Sequence, residues 1–444
     1  MKHAAFSAQR RMREQLRSAL RRGLLGVIDI GTTKTACFIL RVDPARLAAS
    51  ARDEGHLGGF GALRIIGVGV TQSRGVRLGE IADMDETERA IRTALQSAEK
   101  MAGVRVDQVI GVIAGGRPRS FGAMGETEIL GPEVTEGDVA RALAACPEPD
   151  LAEGRDILHA LPVNFALDGA SFLKDPRGMT GERLAVDMHI LSIADAPLRN
   201  LARCVRNCDL ELAGVISASY AAGLSSLIED EQELGAACID MGGGSSSVSI
   251  FMRKQMIFAD CARVGGVHVT RDVSEAFSIP FADAERIKTL HGGVVATGID
   301  DRDLIQAPRI GADLVEERSI SRAALIGVIR PRLEETFEEV RGLLDAAGFA
   351  GMPSKRIVLT GGASQLPGLE DVARKVLGTR VRIGRPLRLG GLPQGAAGPA
   401  FSALVGLCAY AVRPNDELWD FDAAVTEGGA TRLRRAVRWF TENW

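Results

Sequence analysis

The chain has 444 residues, more than one hydrophobic core usually holds, so at least two domains are expected. Hydrophobic residues make up 46% of it and charged residues 25%, which excludes a largely disordered protein. Seven cysteines, an odd number without a Cys-x-x-Cys pair, disfavour a disulfide framework or a zinc site and predict a reduced, cytoplasmic protein.

The net charge of −3 is unevenly distributed along the chain. Residues 1–22 carry seven Lys or Arg against one Glu, residues 431–444 carry four Arg against one Glu, and the remainder is acidic. Basic ends on an acidic body suit an anionic surface that only the ends contact. For residues 1–22, two interpretations stay open: a disordered basic arm, or an auxiliary contact with a membrane.

The first motif is a short hairpin. Residues 24–30 and 36–40 are apolar runs of strand length, and a polar Gly-Thr-Thr-Lys turn at residues 31–34 separates them. Glycine lets a backbone approach a ligand closely, so the N–H groups and hydroxyls of such a turn can hold phosphate oxygens. Asp29, at the end of the first strand, is placed to hold a hydrated Mg²⁺ ion.

Alternating helical and strand-like segments follow and indicate an α/β architecture. Helical periodicity marks residues 85–101, 198–208, 217–228 and 321–347, and strand-like runs mark residues 109–113, 188–193 and 356–359.

The hairpin motif recurs in the second half of the chain. Asp240 ends an apolar strand, a Gly-Gly-Gly-Ser turn occupies residues 242–245, and a second strand follows. One such turn is equally well an ordinary hairpin, but two matching copies favour a shared function. A third turn, Gly-Gly-Ala-Ser at residues 361–364, offers a flat backbone surface to a nucleoside, although by itself it is only a strand–helix turn.

The C-terminal region divides into three segments. Residues 396–412 are apolar but contain two glycines and a proline, so they predict a closing core helix and no membrane span. Residues 413–430 lose periodicity and indicate a linker. Residues 431–444 are amphipathic at helical spacing, typical of a helix that lies in an anionic headgroup layer or docks on the body. The residues assigned to the membrane contact are Leu433, Arg434, Arg435, Val437, Arg438, Trp439, Phe440 and Trp444.

The three turns, in this order, resemble the phosphate-1, phosphate-2 and adenosine motifs of the actin and heat-shock-chaperone ATPase superfamily. Within it, the chain resembles FtsA, a family of bacterial cell-division proteins, over most of residues 24–412. The strings that carry this resemblance are His-Ala-Leu-Pro at 159–162, Asp-Gly at 168–169, Asp-Pro-Arg-Gly-Met-Thr-Gly at 175–181, Val-Asp-Met-His at 186–189, Gly-Gly-Val-His-Val-Thr-Arg-Asp at 265–272 and Ala-Glu-Arg-Ile-Lys-Thr-Leu-His-Gly at 284–292.

The resemblance implies an α/β, actin-like ATPase fold, in which two ribonuclease-H-like halves enclose a nucleotide cleft. It also implies the small 1C subdomain that FtsA proteins have in place of an actin subdomain. The expected divisions are a basic extension at 1–23, subdomain 1A at 24–103 and 191–213, 1C at 104–190, 2A at 214–265 and 336–395, 2B at 266–335, the closing helix at 396–412, the linker at 413–430 and a membrane-targeting helix at 431–444.

The resemblance also assigns the site. Asp29 and Asp240 would flank Mg²⁺, largely through water. The residues implied to contact ATP are Gly31, Thr32, Thr33, Lys34, Gly242, Gly243, Gly244 and Ser245 at the phosphates, and Gly361, Gly362, Ser364, Glu285 and Lys288 at the nucleoside. Their spacing alone fits a solvent-exposed ion pair on a helix face as well as it fits a nucleotide contact for Glu285 and Lys288.

Catalytic residues are not evident. Where efficient ATPases of the superfamily often place Glu-Pro, residues 217–220 are Ser-Ala-Ser-Tyr, so no general base orients a water and hydrolysis is expected to be slow or to need assembly. His159, His189 and His268 lie in or beside strand-like runs and are expected to be structural.

The implied function is that of an ATP-binding, actin-like protein that polymerises on the cytoplasmic face of the bacterial inner membrane at the division site and ties the FtsZ ring to it. Expected partners are the C-terminal peptide of FtsZ at subdomain 2B, further copies of the chain, other division proteins at 1C, and anionic lipid, but not nucleic acid. The alternatives are a catalytic ATPase or kinase of the same fold, and an MreB- or PilM-like actin homologue.

Overall fold

The computed structural model describes residues 2–50, 59–308 and 317–421. The helices are α1 (Lys2–Arg22), α2 (Pro44–Ser50), α3 (Met84–Ala102), α4 (Glu136–Ala145), α5 (Asp195–Asn207), α6 (Ala218–Ser226), α7 (Glu229–Leu234), α8 (Gly266–Phe277), α9 (Phe281–His291), α10 (Arg322–Ala346), α11 (Leu369–Leu377) and α12 (Ser402–Val412). The strands are β1 (Leu24–Ile30), β2 (Lys34–Val42), β3 (Leu63–Gln72), β4 (Val76–Arg77), β5 (Glu80–Ile81), β6 (Gln108–Ile113), β7 (Arg119–Glu128), β8 (Arg155–Leu167), β9 (Ala170–Leu173), β10 (Arg183–Ala194), β11 (Glu211–Ser217), β12 (Ala236–Met241), β13 (Ser246–Met252), β14 (Gln255–Ala262), β15 (Leu304–Pro308), β16 (Glu317–Ser321), β17 (Arg356–Thr360) and β18 (Arg380–Ile383).

Two five-stranded sheets repeat one topology. The first has the order β11-β6-β1-β2-β3, and the second has the order β18-β17-β12-β13-β14. In each sheet the central hairpin continues into a third antiparallel strand on one side, while two parallel strands extend the other side. This repeat confirms the prediction of two ribonuclease-H-like halves.

The halves meet through two buried helices. Helix α6 packs on β12 and β13, helix α12 packs on β1, β2 and β6, and the two helices contact each other. Every residue of α12 is buried. The apolar stretch at 396–412 is therefore a core helix, as predicted, but the helix begins only at Ser402 because short 3₁₀ turns occupy residues 394–396 and 399–401 around the Gly-Pro pair.

The 1C region contains a separate four-stranded sheet of order β7-β10-β8-β9, with α4 packed against β7 and β10. Two strands fall on the other side of the expected boundaries. Strand β6 lies within the 104–190 segment but pairs with β1 and β11 in the first sheet, and β11 continues to Ser217, beyond the boundary at 213. An apolar run predicts a strand, whereas long-range pairing decides which sheet the strand joins.

Both ends of the described chain pack on the body. Helix α1 contacts β1, β6 and β11, and its Leu16 and Ala19 are fully buried, so the disordered-arm interpretation is wrong for this segment. Residues 413–421, expected to begin a linker, bury Glu417 and Trp419. Residues 422–444, which carry the rest of the expected linker and the amphipathic segment, lie outside the described residues.

Within residues 2–50, 59–308 and 317–421, no helix is both long enough and apolar enough to cross a bilayer.

The crossing of α6 and α12 yields a stability prediction. A Cβ atom at Gly406 would lie 1.8 Å from the carbonyl oxygen of Ala221, so Gly406→Ala should lower the free energy of unfolding by about 2 kcal/mol through overpacking. Gly327 in α10 has nothing within 4 Å of the same position, so Gly327→Ala should instead raise stability by about 0.5 kcal/mol, the helix propensity gain. Urea unfolding of both variants measures the difference, and equal effects would contradict the close crossing.

Candidate nucleotide-binding site

The two hairpin turns face each other. A Cβ atom at Gly243 would lie 2.5 Å from Cγ2 of Thr33, and one at Gly244 would lie 2.4 Å from Oγ1 of Thr32. The turns occupy equivalent positions, because one joins β1 to β2 and the other joins β12 to β13. The pairing of the halves therefore brings together the two glycine- and hydroxyl-rich turns that the sequence predicts to hold phosphates.

The helix that follows the second turn packs directly against it. The N–H groups of Gly266 and Val267, at the start of α8, donate to the carbonyl oxygens of Gly242 and Gly243 at 3.0 and 2.8 Å. A Cβ atom at Gly265 would lie 2.7 Å from three backbone atoms of this turn. The glycines of the 265–272 string are thus needed for a close backbone contact that shapes the site.

Two carboxylates lie beside the turns. Asp29 and Asp240 are the penultimate residues of β1 and β12, and the Lys34 ammonium lies 3.8 Å from Oδ2 of Asp29. Burial, together with the nearby charge of Asp29, raises the pKa of Asp240 to about 7, while Lys34 opposes the shift. Burial also raises the pKa of Asp29, again against the effect of Lys34. Two neighbouring carboxylates whose charges repel each other form a donor set that suits a hard divalent cation.

The third turn adjoins the carboxylates. Gly361 has φ of 87°, and a Cβ atom there would lie 2.4 Å from Oδ1 of Asp240. Gly362 begins the 3₁₀ turn that follows. Ser364 is only 1% exposed, and its hydroxyl donates to the carbonyl of Gly361 at 2.8 Å. Ser364 therefore stabilises the turn through its hydroxyl, and its expected contact with the nucleoside stays a prediction.

Glu285 and Lys288 are more than a solvated pair. The Lys288 ammonium is largely buried; it lies 2.7 Å from Oε2 of Glu285 and donates to Oγ1 of Thr270 at 2.8 Å and to the carbonyl of Gly266 at 3.1 Å. A Cβ atom at Gly266 would in turn lie 3.4 Å from Cβ of Ala363, in the third turn. Helix α9 thus presents this pair on the side of the third turn.

Lys34 has a second set of contacts that the sequence did not predict. Its ammonium donates to the carbonyl of Ala400 and lies 4.6 Å from the centroid of the Phe401 ring. These residues immediately precede α12 and are 366 positions away in the chain, so no local pattern could have indicated the contact. One ammonium consequently joins the first turn to the start of the helix that connects the halves.

The segment at 217–220 is buried at the start of α6. The hydroxyls of Ser217 and Ser219 lie 2.8 Å apart, and Ser219 is almost fully buried. The N–H of Ser217 donates to Nε2 of His159 at 3.1 Å, and Nδ1 of this histidine lies 3.2 Å from a carboxylate oxygen of Glu417. Both ring nitrogens of His159 are therefore engaged within the fold.

The other two histidines also make structural contacts. Nε2 of His189 lies 2.9 Å from the hydroxyl of Ser120, and burial lowers the pKa of His189 to about 3. Nδ1 of His268 accepts from the N–H of Gly265 at 3.1 Å, close to the second turn. These contacts agree with the structural roles predicted for all three rings.

Two sheets of ribonuclease-H topology, with glycine turns meeting at their interface, define an actin-like ATPase fold. A chain of a PilM–PilN type IV pilus biogenesis complex superposes with a TM-score of 0.59 at 14% identity, over 88% of this chain and 99% of that one. MreB5 of Spiroplasma citri, bound to ADP, has a TM-score of 0.50 at 14% identity, over 87% of this chain and 95% of that one. At such identities the likeness concerns the fold alone.

Sequence comparison identifies the protein family within this fold class. The family model described as cell division protein FtsA matches residues 237–406, and that described as an SHS2 domain inserted in FtsA matches residues 115–192, on the four-stranded sheet. Cell division protein FtsA of Rhizobium meliloti is 40% identical over 95% of both chains, and that of Escherichia coli K12 is 29% identical over 95% of this chain and 99% of that one. The chain belongs to the FtsA family of cell-division proteins, as the sequence strings predicted.

The raised pKa of Asp240 gives the site a pH signature. A carboxyl whose pKa is raised on folding destabilises the protein progressively as pH increases from about 3.8, the ordinary value, to about 7, and the full penalty persists above that. Asp240→Asn should therefore stabilise the ligand-free protein at pH 8 by a free energy on the order of 4 kcal/mol, seen as a higher thermal midpoint, and by less at pH 5.

Thermal scans at the two pH values measure this effect, and Asp301→Asn, at an exposed position, is the matched control. A loss of stability of the same size at both pH values would contradict the electrostatic account of the carboxylate pair.

Proposed function

We propose that the protein binds ATP with Mg²⁺ between its halves, assembles into an actin-like filament on the cytoplasmic face of the inner membrane, and links the FtsZ ring to that membrane. The observation that carries the nucleotide proposal is the partly buried pair of Asp29 and Asp240, which lies beside three glycine turns. Family membership supports the role in division.

Each part of the cleft has an expected task. The backbones and hydroxyls of residues 31–33 and 242–245 hold phosphate oxygens, and Lys34 adds a positive charge beside them. Gly361 and Gly362 provide the surface for the nucleoside, beside the Glu285–Lys288 pair. Mg²⁺, when bound through Asp29 and Asp240, supplies charge neutralisation to the phosphates.

ATP acts in this proposal mainly as an assembly signal. The buried Ser-Ala-Ser-Tyr segment at 217–220 carries no carboxylate that could orient an attacking water, so hydrolysis by the single chain is expected to be slow. Any ATPase activity is expected to need the contacts that a filament supplies.

Membrane attachment rests on the amphipathic segment 431–444, whose apolar stripe and arginines suit the headgroup layer of anionic lipid. One such helix binds weakly and reversibly. Many of them on one filament act together through effective concentration, so assembly and attachment reinforce each other.

We propose that the FtsZ peptide binds at subdomain 2B. This region exposes several large apolar side chains that a short peptide could cover. They are Phe281, Leu290, Val295, Ile299 and Leu304. Other division proteins are expected at the 1C sheet.

Electron microscopy on a lipid monolayer with phosphatidylglycerol and Mg-ATP tests the main proposal. The full chain should form filaments on the lipid. Asp240→Ala should lose affinity for a fluorescent ATP analogue and form no filaments, because the carboxylate pair is broken. Deletion of residues 431–444 should preserve nucleotide affinity but leave the monolayer bare.

The two parts of the proposal can fail separately. Unchanged nucleotide affinity of Asp240→Ala would refute the cleft assignment, and a truncated protein that coats the monolayer as fully as the parent chain would refute the C-terminal anchor. Asp301→Ala, an exposed substitution, is the control for nucleotide binding.

Fluorescence anisotropy with a labelled FtsZ C-terminal peptide tests the 2B site. Leu290→Glu and Ile299→Glu should each weaken binding by about tenfold, since a charge replaces an apolar contact. Leu130→Glu, at a residue that is 78% exposed in the 1C region, should leave the affinity unchanged. Equal effects at all three positions would show that the peptide binds elsewhere.

A further inference from the structure

A buried arginine fixes the N-terminal helix to the C-terminal segment. Arg13, in α1, is 6% exposed. Its guanidinium donates to the Asp420 carboxylate at 2.7 Å, to the Asn415 carbonyl at 2.8 Å and to the Tyr410 hydroxyl at 3.1 Å. A buried cation is stable only with such complete partnering. Helix α1 and residues 413–421 therefore form one packed unit.

The same contacts determine where the chain continues toward its C-terminus. Arg10 donates to the carbonyl oxygens of Trp419 and Phe421, both at 3.1 Å, and Phe421 is the last described residue. Residues 422–430 separate it from the amphipathic segment and can span at most about 30 Å when extended. The predicted membrane helix is thus tethered close to α1.

The face of α1 that points away from the body is basic. Its exposed residues fall within an arc of about 140° at helical spacing. They are Arg10, Arg11, Glu14, Arg17, Arg21 and Arg22. Arg17 lies 3.3 Å from Asp420 but remains 61% exposed, and Arg22 pairs with the exposed Asp107. The face presents five arginines against one glutamate.

An apolar hollow adjoins this face. It has a volume of ≈ 650 Å³ and lies between α1, α2 and the end of α12. Leu20, Leu47 and Val412 contribute apolar surface. Three arginines and one carboxylate line the same hollow, namely Arg17, Arg21, Arg413 and Asp416. A combination of apolar surface and arginines fits a phospholipid, which offers both acyl chain and anionic headgroup.

We propose that the exposed face of α1 is a second membrane-binding surface, which contacts an anionic phospholipid bilayer next to the C-terminal helix. The choice of a bilayer rests on the proposed membrane attachment, because the chain that carries the predicted anchor leaves the body beside α1. Two separate membrane contacts restrict the orientation of the body, whereas a single contact through a tethered amphipathic helix would leave it free to rotate.

Vesicle sedimentation tests this surface. Arg11→Glu/Arg21→Glu reverses two exposed charges without touching Arg13. Since each arginine near an anionic surface strengthens binding about fivefold, the variant should bind phosphatidylglycerol-containing vesicles at least about twentyfold more weakly than the parent chain. Binding to pure phosphatidylcholine vesicles should not change. Equal thermal midpoints of variant and parent establish that α1 remains docked.

The matched control is Arg356→Glu/Arg380→Glu, which makes the same change of net charge at two exposed, directly paired positions on β17 and β18. A selective loss in the α1 variant supports the proposal. Parent-like binding of the α1 variant, or an equal loss in both variants, overturns it.

Truncation of residues 431–444 separates this surface from the anchor. If truncation abolishes binding while Arg11→Glu/Arg21→Glu binds like the parent, the anchor stands and the α1 surface fails. If the truncated chain binds anionic vesicles as tightly as the parent and the same double substitution then removes that binding, the anchor fails and the α1 surface stands.

Discussion

The close crossing of α6 and α12 is the constraint on which the cleft depends. Each helix covers one sheet, and their backbones meet at Gly406, where any side chain would collide with the carbonyl of Ala221. Packed interiors tolerate little displacement, so this contact determines how the two sheets face each other. The facing of the hairpin turns, and with it the proximity of Asp29 and Asp240, follows from the same contact.

The carboxylate pair is unfavourable for the fold taken alone. Burial raises both pKa values, the charge of Asp29 adds to the shift of Asp240, and Lys34 relieves only part of that cost. Groups held in such surroundings are characteristic of sites that bind or transform a ligand. Lys34 also contacts the residues before α12, so the first turn and the helix between the halves share one cation.

The chain ends form a second polar cluster. It differs from the carboxylate pair because its charged groups are hydrogen-bonded within the fold. Arg13 and Glu417 are buried and the Asp420 side chain is only 8% exposed, and their hydrogen bonds are made within the fold. Glu417 accepts hydrogen bonds from the N–H of Ala160 and from the Tyr410 hydroxyl. It also contacts His159, whose other ring nitrogen accepts from the N–H of Ser217 at the start of α6. The cluster therefore ties α1 and the C-terminal segment to the 1C sheet and to the interface of the halves.

Residue patterns along the chain were sufficient to predict several strands, the hairpin turns and the family of this protein. Strand β1 occupies residues 24–30 as expected, both hairpin turns were recognised from glycines and hydroxyls after an aspartate, and family strings identified FtsA. Such features are readable because turn geometry and strand burial impose residue types on neighbouring positions. The same logic predicted a core helix before residue 412 but missed its late start.

Tertiary packing decided the rest. The docking of α1 depends on Asp420, 407 positions away from Arg13, and the burial of Lys288 depends on Thr270 and Gly266 in another helix. The placing of β6 in the first sheet is likewise an outcome of contacts between distant segments. Residue patterns report the periodicity of one element, whereas the partner of a charge or strand is selected only when the elements pack and exclude water.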